Sequence, residues 1–164
     1  MTTVTIDVTL TPKGTSITQG LNFVFAAGPG TLPGVVSADG GINLSKQFPS
    51  GTAVTLIFSL KTSTLSFSTP PSVGSFPVSF NGQNGSKNAC WIALQGQNPG
   101  IYNGSEFTFG ANAMGPRNAS LTITDQNSDG QTYNYALWVW VALSATTGQA
   151  IEDDPHIINR GTNP

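Results

Sequence analysis

The chain has 164 residues, six of them Lys or Arg and eight Asp or Glu, for a formal net charge of −2. Charged residues make up 9% of it, against roughly 25% in average soluble proteins, and Ser, Thr, Asn, Gln and 19 glycines stand in their place. This length fits one domain with its own core, the basic residues form no stripe that would hold nucleic acid, and no apolar run reaches the roughly 18 residues of a membrane span. A thinly charged, neutral polar surface repels its own copies weakly, as in lectins, adhesins, fibres and assembly proteins. Cys90 is the only cysteine, so neither an intrachain disulfide nor a cysteine-built metal site can form. Strand-like alternation begins at Thr2 with no basic and apolar leader before it, so the expected location is cytoplasmic.

Thr2 to Leu10 alternates strictly, with Val4, Ile6, Val8 and Leu10 on one face and threonines and Asp7 on the other. That period marks a half-buried strand. Leu21 to Ala26 forms a second, with Leu21, Phe23 and Phe25 in phase. Residues 27 to 52 are rich in Gly and Pro and read mostly as connection, with short strands at Val35-Val36 and Ile42 to Leu44. A connection of that length is unusual in a compact domain. Ala53 to Leu60 is the next strand, and the prolines after Thr69 leave room only for an edge strand at Phe76 to Phe80. Further strands follow at Ala89 to Leu94, Ser105 to Gly110 and Ala119 to Thr124. The longest run, Gln131 to Leu143, has no proline, glycine or charge and reads as the central strand. A turn at Ser144 to Gly148 leads to a closing strand within Ile151 to Gly161. The expected fold is all-β: a single immunoglobulin-like Greek-key β-sandwich of seven to nine strands without a disulfide, a closed barrel being the alternative.

Three constellations could carry function. Asp125-Gln-Asn-Ser-Asp-Gly130 matches the opening of a calcium loop, with side-chain oxygens at Asp125, Asn127 and Asp129. The bidentate acid of an EF-hand is missing, since Ala136 occupies its position. Calcium would therefore need carboxylates borrowed from Glu152, Asp153 or Asp154; the alternative is a polar turn between strands. Calcium is the one cofactor in view.

The second constellation is aromatic. Parity sets Tyr133, Tyr135, Leu137, Val139 and Val141 on one side of the central strand and Asn134, Ala136, Trp138, Trp140 and Ala142 on the other. Trp91 falls opposite Cys90 and Ile92 on its own strand. If the two strands are neighbours, Trp91, Trp138 and Trp140 share one outer face, suited to sugar rings or to a second copy of the chain. The competing readings are a face covered by loop or tail, or Trp91 as a core tryptophan.

The third is the acidic tail around His156. It lacks a positioned nucleophile, a nucleophile-elbow pattern and a second histidine, so it supports no triad and no multi-histidine zinc site. Cys90, mid-strand among apolar residues, reads as inert core. The expectation is a non-enzymatic protein that binds or self-associates, with homo-oligomers and glycans as candidate partners. A calcium-assisted lectin-like module is the second reading.

Asp129-Gly-Gln-Thr-Tyr133-Asn-Tyr135 resembles the approach to strand F of immunoglobulin-type domains. There a tyrosine two residues before the cysteine position bonds back to the preceding loop. Tyr133 would be that tyrosine and Tyr135 would take the cysteine's place. The tail Asp154-Pro155-x-Ile157-x-Asn159, after a Tyr-x-Leu-x-Val strand, is similar to the end of the bacterial DP-EP family, small immunoglobulin-like sandwiches of uncharacterised function. The AidA/PixA inclusion-protein group has a similar ending. The resemblance spans residues 129 to 161, implies the sandwich fold, and brings no catalytic residue.

Overall fold

The computed structural model describes residues 2–14, 21–45, 47–61, 66–67, 90–97, 104–110, 120–142, 148–153 and 156–158. The edge strand expected at Phe76 to Phe80 lies outside them. The described residues form eleven strand segments: β1 (Thr2–Pro12), β2 (Leu21–Ala27), β3 (Ile42–Asn43), β4 (Val54–Leu60), β5 (Ser66–Phe67), β6 (Cys90–Leu94), β7 (Phe107–Phe109), β8 (Ser120–Asp125), β9 (Thr132–Ala142), β10 (Gly148–Asp153) and β11 (His156–Ile158). Among the described residues there is no helix, so none is long and apolar enough to cross a membrane.

The first sheet runs β2-β1-β4-β8-β7. Its inward positions are the apolar phase of each strand: Val4, Ile6, Val8 and Leu10 of β1, Leu56 and Phe58 of β4, Leu121 and Ile123 of β8, all buried. The second sheet is built on β9. β6 and β5 pair along one edge of β9, and β10 and β11 pair along the other, with β3 outside β11. β10 and β11 hold one unbroken register: Asp153 faces Leu137 and, three positions later, His156 faces Asn134. Pro155, which has no N–H to give to a ladder, stands between them in sequence. Taking β10–β11 as one strand and setting aside the two-residue β3 and β5 leaves eight strands in two sheets, an all-β sandwich without a disulfide.

The sheets share one core. Phe58 of the first packs on Tyr135 of the second, ring centroids 5.4 Å apart, and Phe107 meets Tyr133 edge-on at 4.8 Å.

The long connection after β2 has a topological cause. β1 and β4 are parallel neighbours, and parallel strands cannot be joined by a tight turn; the chain must cross over. It does so by way of the other sheet, where β3 pairs in parallel with β11. The crossover is built into the interior: Val35, Ile42, Leu44 and Phe48 belong to the core. Gly28 N–H donates to Thr5 O at 2.8 Å, where a Cβ on Gly28 would lie 2.6 Å from Thr5 Cγ2. Thr31 Oγ1 donates to Thr5 O at 2.8 Å and accepts from Thr5 N at 2.7 Å, which closes the stretch of β1 that β2 leaves uncovered.

Candidate functional site

The loop between β8 and β9 is held from within. β8 ends with Asp125 on the inward phase, fully buried, and its Oδ1 accepts from Asn127 N–H at 2.7 Å. Asn127 has φ 51°, a left-handed conformation that Asn tolerates better than most residues. From there its Nδ2 donates to Pro49 O at 3.2 Å and its carbonyl accepts from Gly51 N–H at 2.8 Å. The loop is thereby tied to the end of the β2–β4 crossover.

Glu106 braces the same loop from the β7 side. It is 6% exposed, and its carboxylate accepts from Ser128 N–H and Ser128 Oγ, both at 2.7 Å. Asp129 Oδ1 accepts from Gln131 N–H at 3.0 Å, and Tyr133 O–H donates to Asp129 Oδ2. Asp125 Oδ1 and both Asp129 oxygens thus serve the turn's own backbone and the tyrosine that begins β9. Nothing in the sequence near Glu106 signals its part, because the partner is 22 residues away.

The acids expected to complete a calcium site are elsewhere. Glu152 is paired with Trp138 and Asp153 with Leu137, whereas β9 begins at Thr132 opposite Ile158. Five residues of antiparallel strand separate the two levels, about 17 Å. By this register the loop adjoins the C-terminal end of β11, whereas Glu152 and Asp153 lie well along β10. No group of three His, Cys, Asp or Glu side chains that could hold a metal ion occurs among the described residues. Asp154, Pro155 and Asn159 lie outside them.

The aromatic positions do come together. β6 is the neighbour of β9, with Trp91 opposite Ala136 and Cys90 opposite Leu137. Trp91, Ala136, Trp138 and Trp140 therefore occupy the same phase of the second sheet, opposite to the buried phase of Tyr133, Tyr135 and Leu137. Trp138 and Trp140 stand opposite Glu152 and Ala150 on β10. Whether their rings are bare or covered lies outside the described residues. Ala136, in their midst, is only 1% exposed, so this face is sheltered at that point.

On the inward phase, Tyr135 is fully buried and donates its O–H to Gly40 O at 2.7 Å, linking β9 to the crossover. Ile157 of β11 is fully buried beside Ile42 of β3. Cys90 is 1% exposed, and burial raises its pKa well above the usual thiol range, so the sulfur stays protonated and unreactive at neutral pH.

No protein-family model matches the chain, and no curated protein matches it.

Proposed function

We propose that this chain is a non-catalytic binding domain of immunoglobulin-like topology that acts by association, through further copies of itself or through a ligand seated beside β9. The topology is supported by strand order. β4, β8 and β7 lie in one sheet and β6, β9 and β10 in the other, the arrangement of strands B-E-D and C-F-G, in the same chain order. Phe58 and Tyr135 then occupy the places of the two bridging cysteines, and their ring contact pins the sheets where a disulfide otherwise would. β1 departs from the pattern by running parallel to β4 and carrying β2 outside it.

The observation that carries the functional reading is the register that sets Trp91, Trp138 and Trp140 on one phase of the second sheet, the phase opposite to that of Tyr133, Tyr135 and Leu137. Aromatic residues supply large contact area with little entropy to lose, which suits them to interfaces and to sugar rings. The second reading, a glycan-binding module, is favoured by their spacing. Trp138 and Trp140 are two residues apart, about 7 Å along the strand, and Trp91 is one strand over.

A glycan array on wild type and on Trp138→Ala, with light scattering over a concentration series, tests both. Specific glycan hits lost in the variant establish the glycan module. Mass that rises with concentration and no hits establishes self-association. A strict monomer without hits removes the proposal.

A further inference from the structure

The strands of the second sheet carry charge of one sign. β3, β5, β6, β9, β10 and β11 contain two acidic residues, Glu152 and Asp153, and no Lys or Arg. Register separates the two acids. Asp153 stands opposite the buried Leu137, and Glu152 stands opposite Trp138. Glu152 therefore shares a phase with Trp138, Trp140 and Trp91. Small residues hold neighbouring positions on that phase: Ala136 and Ala142 along β9, and Ala150 and Ser66 on the two strands flanking Trp140. Bulky and small residues thus alternate across the sheet. Ala136 is only 1% exposed, so a ligand belongs on the β10 side of Trp138, beside Glu152, rather than over Ala136. His156, the other ionisable residue that register places on this phase, stands opposite Asn134, about 13 Å along the strands from Glu152.

We propose that the phase of Trp138, Trp140 and Glu152 binds a small organic cation of the alkylammonium class. The inference rests on the reading above that a ligand sits beside β9, and it names the chemistry of that ligand. An indole face carries the negative end of the ring quadrupole, so it attracts a cation placed over it. Alkylated ammonium suits such a face because its methyl groups are weakly hydrated, whereas a bare metal ion keeps its water. Glu152 adds a full negative charge beside the rings, and no Lys or Arg on these strands offsets it. Small ligands are held in concave sites, and large residues set among small ones are what make a sheet face concave. A sugar ring also stacks on indole, but it gains nothing from the one-sided charge. An anionic ligand is repelled by ring and carboxylate alike.

Titration of the full chain with choline chloride, followed by tryptophan fluorescence and calorimetry, tests this. The control is the neutral alcohol in which carbon replaces choline's nitrogen, a molecule of nearly the same shape. Choline binds and changes the fluorescence, and the alcohol binds at least about tenfold more weakly. Trp138→Ala weakens choline binding by about tenfold. Glu152→Gln weakens it by about threefold, less at high salt, and leaves the alcohol unaffected. Circular dichroism confirms that both variants fold; should Trp138→Ala not fold, Glu152→Gln carries the test. Equal affinity for choline and the alcohol overturns the inference and leaves a ligand site on this phase standing. Choline binding that neither substitution weakens overturns it as well, because the cation then sits elsewhere. Binding of neither probe overturns the inference alone where the glycan array or light scattering is positive. Where both of those are negative too, the reading above falls with it.

Discussion

The first sheet is dry on one side and wet on the other, whereas β9 in the second sheet is buried on both sides where it passes Ala136. In β1 every inward residue from Val4 to Leu10 is buried, and its outward threonines are exposed or half-buried. In β9, Tyr135 and Leu137 are fully buried on the core phase, and Ala136 between them is 1% exposed on the other. The difference explains the two sequence patterns. A strand with one wet face alternates apolar and polar, and β1 does so. Where β9 passes Ala136 both sides are closed, so polar alternation has no place there, and the run from Tyr135 to Leu143 is free of charge.

Arginine placed on each outer phase gives the sharpest way to break this contrast. Thr122→Arg adds a charge where the sheet meets water, and in dilute solution it shifts the unfolding free energy by no more than about 0.5 kcal/mol. Ala136→Arg forces volume and charge into a closed site and costs at least about 3 kcal/mol, or prevents folding. Urea unfolding of the two variants side by side measures the difference. Equal tolerance at both positions would show that the outer side of β9 is open.

The same contrast governs how much the sequence discloses. Strands β1, β2, β4 and β8 are legible because period-2 alternation encodes both their existence and their facing, and the inward sets Val4-Ile6-Val8 and Leu56-Phe58 follow directly. Three features escape. The parallel pairing of β1 with β4 depends on where the crossover goes, which no local pattern states. Short strands are readable in that crossover at Val35-Val36 and Ile42 to Leu44, and β3 and the Val36–Ile42 bridge lie there, but no period among the glycines and prolines says that Val35, Ile42, Leu44 and Phe48 enter the core. Register is the third. Asp153 and the Asp125–Gly130 loop flank β9 in sequence, but an antiparallel hairpin places them apart by an amount that only the turn geometry fixes. The aromatic alignment was readable because it needed parity and one strand adjacency, β6 beside β9.

A smaller effect probes how dry the inward side of the second sheet is. Cys90 faces the core opposite Leu137, and burial raises its folded-state pKa. A raised pKa means that the folded chain keeps its proton where the unfolded chain loses it. The thiol's contribution is therefore whole below the unfolded value of about 8.5, and it declines as pH rises from there toward the folded pKa. The slope is about 1.4 kcal/mol per pH unit. Unfolding curves of wild type and Cys90→Ala from pH 7 to 10 isolate this, because other titrations cancel in the difference. Parallel pH profiles would mean that water reaches the sulfur.

The smallest effect separates the rim of the second sheet from its interior through two tyrosines on one strand. Both rings lie in the core, but their hydroxyls end in different surroundings. Tyr135 O–H reaches Gly40 O inside the protein, and Tyr135→Phe leaves that carbonyl unsatisfied at a cost of about 1–3 kcal/mol. Tyr133 O–H reaches the carboxylate of Asp129, an exposed residue, where water can replace the lost partner, so Tyr133→Phe costs about 1 kcal/mol. Asp129→Asn keeps an acceptor for Tyr133 and Gln131 and costs less than either. In a double-mutant cycle, Tyr133→Phe with Asp129→Ala falls short of additivity by the energy of their shared bond. Full additivity would mean that the turn before β9 stands without that bond, leaving Glu106 and Asn127 as the groups that hold it.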